Sequence, residues 1–206
     1  MEIRVNATRQ ELMRLKNRFR MAKRGHKLLK DKRDELMRIF MQLLKDNRQL
    51  RQRVEEKLSA AYSSFLVARS TMDPQVLEEA LMSPTAKLEL KAGTRTIMNA
   101  EIPVLEAVQK GNIYSYGLAD TSAELDEALA NFSALMPDFI KLAEMERTVE
   151  VLAGEIEKTR RRVNALEYVL IPELESTVNS IEMRLAEIER SNASRLMKIK
   201  DIVRAH

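Results

Sequence analysis

Cysteine and tryptophan are absent from this 206-residue sequence, and aromatic residues of every kind make up only 4% of it. Without cysteine there are no disulfide staples, no thiolate nucleophile and no cysteine zinc site, a usage that fits a reducing compartment. Histidine occurs only as His26 and His206, no glycine-rich phosphate loop is present, and no cluster has metal-ligand spacing. Nothing here points to catalysis, and the carboxylates fall on helix faces where solvation or i,i+4 pairing is their ordinary role. The opening residues MEIRVNATRQELMRLKNRF have no apolar core of signal-peptide length. No stretch approaches the roughly 20 apolar residues that cross a bilayer, so a membrane role would be peripheral.

Glycine and proline are scarce too, five of each, while charged residues reach 32%. The remainder is rich in Leu, Met, Ala, Glu, Lys and Arg, the mixture of long helices and coiled coils. Charge is unevenly placed. Residues 1–58 hold 18 Lys or Arg against 8 acids, residues 59–137 hold 5 against 10, and residues 138–206 hold 12 against 13. The basic surplus therefore belongs to the N-terminal arm.

From Leu12 a seam of alternating three- and four-residue steps runs through Leu15, Phe19, Ala22, His26, Leu29, Arg33, Leu36, Phe40, Leu43, Asn47, Leu50 and Val54. This periodicity predicts one long helix with a stripe facing another helix. Thr8 and Glu11 offer a capping box at its start. A helix from Arg9 to Leu58 would be roughly 75 Å long at 1.5 Å per residue, and the helix can persist to Ser70. His26, Arg33 and Asn47 are polar seam positions of the kind that set register at a cost in stability.

The middle reads differently. DPQVLEEALMSP predicts a short helix capped by Asp73, with Pro74 in its first turn. Between Leu88 and Val104 alternating residues predict an antiparallel hairpin, with its turn at Met98–Glu101 and a bulge or bend at Gly93; a turn at Gly93 is the alternative. An isolated hairpin is marginal in water and must lean on a helix or a partner. NIYSYGLADT then reads as a loop. Helix resumes after Thr121 and Ser122, and Pro137 is expected to interrupt or kink it. From Asp138 a second seam passes through Leu142, Met145, Val149, Leu152, Ile156, Thr159, Val163, Leu166 and Leu170, then continues beyond Pro172 as Leu174, Val178, Ile181, Leu185 and Ile188 to Val203. Two seams at opposite ends of one chain are most simply satisfied by folding back on each other. The expected fold is mainly α: an antiparallel two-helix coiled coil of the N- and C-terminal helices, with a central insert holding a short helix and a β-hairpin. The expected division is 1–70, 71–121 and 122–206.

Other functions fit less well. Basic residues scattered around a helix, without interleaved aromatics or a recognition motif, argue against nucleic acid. The long heptad pattern favours protein packing over a membrane-surface helix. On the residues alone, a coiled-coil scaffold or tether is the leading reading.

Two segments, TRQELMRLKNRFRMAKRGHKLLKDKRDELMRIF and NALEYVLIPELESTVNSIEMRLAEIERSNASRLMKIK, closely resemble the D subunit of the archaeal A-type ATP synthases and vacuolar-type ATPases. The resemblance covers essentially the whole chain in order. One departure is Ala7, where many relatives carry proline, which would alter only the entry to the first helix. The short run after KIK favours an archaeal or bacterial form. The resemblance implies a non-catalytic central rotor shaft, without cofactor or metal, at the cytoplasmic face of the cell membrane. Its implied partners are the catalytic A and B subunits, the small F subunit and the C-type subunit capping the membrane ring.

A shaft turning inside a ring needs contacts that can be made and exchanged, which scattered cations supply. The candidates are Arg14, Lys16, Arg18, Arg20, Lys23 and Arg24, together with Arg160, Arg161 and Arg162. The expected core pairs Leu29, Leu36 and Leu43 with Leu166, Leu170, Leu174 and Ile181. Pro172 lacks the N–H that would bond back to Tyr168, so it is expected to bend the helix, where apolar steps of four through Leu166, Leu170, Leu174 and Val178 also break the heptad.

Overall fold

A computed structural model describes residues 6–117 and 121–205. Its elements are α1 (Arg9–Thr71), α2 (Pro74–Met82), β1 (Lys87–Ile97), β2 (Ala100–Lys110), α3 (Ala123–Ala165), a π-helical turn (Leu166–Leu170) and α4 (Ile171–Ala205). The fold is mainly helical, as expected, with a two-stranded insert. Residues 118–120 of the expected NIYSYGLADT loop lie outside the described residues. The chain divides into two units, one made of both chain ends up to Glu35 and from Ile156, the other of Leu36–Glu155.

In the first unit, α1 runs antiparallel to α4. Thr8 begins α1 by accepting from the Glu11 amide at 3.2 Å. The reciprocal arm of the capping box is not made, because the Thr8 amide donates to the Asn6 carbonyl instead. Leu15 and Ala22 pack with Leu174, Val178 and Ile181, flanked by Leu12, Phe19, Leu170, Ile171 and Leu185. The three- and four-residue steps of the sequence thus become one buried stripe on each helix. Thr177, also buried, satisfies its hydroxyl by donating to the Glu173 carbonyl at 2.7 Å. Such back-bonding lets a polar side chain occupy a helix interface without an orphaned donor.

The π-helical turn is a feature at Pro172 that the periodicity did not name. Pro172 is the second residue of α4; the chain widens just before it, and the Ile171 amide donates to the Leu166 carbonyl, five residues back. A π-turn takes up one residue more than an α-turn. That extra residue is what the repeated steps of four encode, so the seam regains its phase by Leu174. Deleting the exposed Val169 together with Pro172→Ala should therefore leave a continuous α-helix with the seam in phase. The expected melting temperature is equal to or above that of the parent. A one-residue deletion between Leu174 and Ile181, which turns the following stripe by about 100°, should lower it sharply. Equal effects of the two deletions would refute this role for the turn.

In the second unit, the later part of α1 packs against α3. Leu50, Val54 and Leu58 meet Leu135, Phe139, Leu142 and Met145. Further along, Phe65, Ala68 and Met72 meet α2 through Val76, Leu77 and Ala80, and α3 through Leu125 and Leu129. Asp73 caps α2 by accepting from the Gln75 amide at 2.9 Å, with Pro74 at the first helical position, where a missing donor costs nothing. Of the two outcomes expected at Pro137, the interruption does not occur, and α3 runs through it. Its ring instead lines a hollow with Ile140 and, from the hairpin, Leu105 and Ala107.

The strands pair in unbroken register from Lys87↔Lys110 to Ile97↔Ala100. They extend beyond the expected Leu88–Val104, and Gly93 sits opposite Val104 without a bulge. The turn is Met98–Asn99, both with positive φ (48° and 71°). This is the tight two-residue geometry whose twist matches the strands, normally supplied by Asn-Gly. Met98 is the unusual occupant, which is why a turn at Gly93 remained open from sequence. Glu144 of α3 fixes the hairpin by accepting from the Leu105 amide at 3.0 Å, and Gln109 meets Ser133 at 3.1 Å.

Candidate subunit interface

All nine candidate cations fall in the first unit, but they do not form one patch. Lys16 pairs with Glu182 at 2.5 Å, and Arg9 with Glu189 at 2.5 Å, so the stretch from Arg14 to Arg24 runs beside the middle of α4. His26 meets Glu167 within the π-turn at 3.3 Å. Arg160, Arg161 and Arg162 precede that point on α3, and by the antiparallel pairing they lie beside the part of α1 that follows His26. Two basic patches result.

Several candidates are already engaged within the chain. Arg14 lies 3.7 Å from Glu11, Arg20 donates to Asn17, and Arg161 pairs with Glu157. The Lys23 ammonium sits 4.3 Å above the Phe19 ring centroid, a cation–π contact that also shelters the edge of the seam. Arg18, Arg24, Arg160 and Arg162 are exposed and make no hydrogen bond or ion pair among the described residues. These four are the cations free to answer an external acid.

The core candidates separate by depth. Leu36, Leu174 and Ile181 are buried, whereas Leu29, Leu43, Leu166 and Leu170 are half-buried. The half-buried set includes both leucines of the π-turn, where the wider helix carries the seam less tightly against its neighbour.

Sequence reasoning missed an apolar contribution to this surface. Met13, Met21 and Leu28 on α1, with Tyr168, Val169 and Met183 beyond them, are strongly exposed. The signal was present: steps of eight and seven from Met13 to Met21 to Leu28 trace a second stripe off the seam. A long unbranched methionine adapts its shape to different surfaces, as a partner-facing stripe requires. In the second unit the aromatic groups serve packing. Tyr62 meets Phe132 edge to face at 5.6 Å, and the Tyr116 hydroxyl donates to Asp126 at 2.5 Å. Burial, then the Asp126 carboxylate, raises the Tyr116 phenol well above its ordinary range.

No group of His, Asp or Glu among the described residues could hold a metal ion, and no described helix is long and apolar enough to cross a membrane. Paired helices, unpaired arginines, exposed methionines and an inserted hairpin define a class of helical protein whose surface chemistry is that of protein contact. Comparison with known proteins makes the class particular. The family model for the ATP synthase D subunit matches residues 11–201. The chain is 53% identical over 203 residues to the V-type ATP synthase D subunit of Thermoanaerobacter sp. (strain X514), covering 98% of this chain and 97% of that protein. The V-type ATP synthase D subunit of Acetivibrio thermocellus is 51% identical over 205 residues, covering 98% and 92%, and that of Clostridium novyi 48% over 204 residues, covering 97% and 94%. The chain belongs to the ATP synthase D subunit family.

Proposed function

We propose that this protein is the central rotor shaft of an A/V-type ATP synthase, carrying torque between an ion-driven membrane ring and a catalytic A/B hexamer. It contributes no catalytic group of its own and attaches peripherally at the cytoplasmic face of the membrane. Its partners in this reading are the A and B subunits around the shaft, the small F subunit beside the insert and lower shaft, and the C-type subunit at the ring. Family membership over nearly the whole chain carries the reading. The physical support is the paired seam. Two helices that bury a shared stripe resist bending and twisting better than one, and a transmission element needs that stiffness.

The free arginines supply the other requirement. Exposed charge pairs are individually weak, so a ring can exchange them as the shaft turns without locking at one angle. Replacing Arg18, Arg24, Arg160 and Arg162 together with glutamine in the reconstituted complex should leave assembly intact and lower ions pumped per ATP severalfold. Simultaneous measurement of ATP hydrolysis and ion uptake in vesicles checks this. Unchanged coupling would remove these residues from torque transfer, and a complex that couples fully without this chain would overturn the shaft reading itself.

A further inference from the structure

The two edges of the hairpin differ in how open their backbone groups are to a further strand. On β2, the Leu105 amide points away from β1 to Glu144, which fixes the alternation: residues 101, 103, 105, 107 and 109 direct their backbone groups outward. One of these is Pro103, which has no donor to offer, and proline is tolerated in sheets at such an edge position. Glu144 thus occupies the Leu105 amide and Pro103 offers none, while the Gln109 side chain is tied to Ser133, so the middle of the β2 edge is blocked to a further strand.

The same alternation directs the backbone groups of Leu88, Leu90, Ala92, Thr94 and Thr96 outward from β1. No proline interrupts that row, and none of these amides finds an acceptor among the described residues. Ten of the eleven β1 residues are exposed, including Leu88 at 42% and Leu90 at 56%. Lys87, Lys91 and Arg95 project on the opposite face to Leu88 and Leu90. The acid between them, Glu89, is held by Lys110 at 2.8 Å, and Glu106 lies opposite Lys91 in the ladder without an ion pair. Beside Leu88 is a hollow of about 200 Å³ whose lining includes Ile113, Leu129, Phe132 and Met136.

We propose that the outer edge of β1 is a docking edge for an extended segment of a partner protein, acidic on one face and apolar on the other, which adds as a third strand. The free amides and carbonyls give such a segment its hydrogen bonds. Lys87, Lys91 and Arg95 select its acids, and the hollow beside Leu88 accepts one apolar side chain. Strand addition of this kind draws affinity from the main chain and specificity from alternate side chains. The proposal concerns the isolated chain and stands apart from the rotor reading.

The test uses the full chain and a labelled, end-blocked seven-residue peptide of alternating Glu and Val, with a Lys-Val peptide and an order-scrambled peptide as comparisons. The Glu-Val peptide should bind by fluorescence anisotropy and slow amide exchange at Leu88, Leu90, Ala92, Thr94 and Thr96. Its affinity should fall about tenfold between low and high salt. Ala92→Pro removes an outward donor and no ladder bond, so it should abolish binding while the Lys91 and Gly93 amides stay protected. If the proline disturbs the hairpin, the charge-reversed variant carrying Lys87→Glu, Lys91→Glu and Arg95→Glu decides, by switching preference to the Lys-Val peptide. Absence of binding, equal binding of the three peptides, or failure of the charge-reversed variant to switch would overturn the proposal. So would self-association of the free chain that Ala92→Pro removes, which would give the edge to a second copy instead.

Discussion

Leu174→Ala should destabilise the first unit by about 3–5 kcal/mol, the range for truncating a fully buried leucine that its surroundings cannot collapse upon. Leu174 is completely buried and sits between Leu15 and Ala22 of α1 and its own neighbours Val178 and Ile181. Ala22 is too small to fill the space, and Leu15, Val178 and Ile181 are themselves fixed in the same buried stripe. Little is free to move into the space. Leu170, four residues earlier at the end of the π-turn, is only half-buried, so Leu170→Ala should cost about half as much or less. Urea denaturation of both variants, followed by helical circular dichroism, separates them. Equal losses would mean that the π-turn carries as much packing as the seam beyond it.

Gly111→Ala is the second large effect, and its cause is backbone rather than core. Gly111 has φ +90°, and a Cβ there would stand 2.3 Å from the Thr85 carbonyl oxygen and 3.0 Å from its carbon. The first distance is far inside contact, and backbone cannot swing aside as the end of a side chain can. At this point the chain entering β1 and the chain leaving β2 cross, tied by the Thr85 hydroxyl donating to the Asn112 carbonyl at 2.8 Å. The substitution forces the crossing apart and adds a left-handed conformation that alanine disfavours, together about 2–4 kcal/mol. The loss should be local: amide exchange across Lys87–Lys110 accelerates while α1 and α3 amides near Val54 and Leu135 keep their protection. Gly93→Ala is the control. Its nearest contact would be 3.8 Å, and no positive φ is involved, so stability should stay level or rise by about 0.4–1 kcal/mol. Loss of protection in both variants would show that the hairpin tolerates no added side chain at all.

Much of the helical plan was legible because a buried stripe leaves a period. Leu12 to Ala22 and Leu174 to Leu185 could be read as seams before any partner was known. The Asp73–Pro74 cap was legible for a similar reason, since one side-chain acceptor and one ring suffice to write it. The π-turn was half visible: the steps of four announced an extra residue, but sequence could not tell a change of supercoil from a local widening, and Pro172 drew attention to itself. Pro137 left interruption and kink both open in the sequence, and α3 runs through it; the hollow it shares with Leu105 and Ala107, about 30 positions away, could not be read locally. The hairpin register was hidden for a different reason. Met98 and Asn99 take left-handed conformations imposed by the pairing of 11 residues on each side, and nothing in the residue types demands it. Among the cations, sequence supplied the charge but not its employment: only structure separates Arg18, occupied by nothing among the described residues, from Arg20, two positions on and bonded to Asn17.

That the first unit is built from the two ends of the chain sets the order in which the protein can be made. Leu36–Glu155 is contiguous, so its contacts can close as soon as that stretch has left the ribosome. Leu12, Leu15 and Phe19 have no such option, because the residues that cover them, Leu174 to Leu185, follow only about 160 residues later in the chain. At about 5–20 residues per second, that leaves the newborn N-terminal arm uncovered for roughly 8–35 seconds. Its dense positive charge keeps such arms apart from one another during the wait, so neutralising the arm should lower soluble yield even where it leaves the finished protein equally stable.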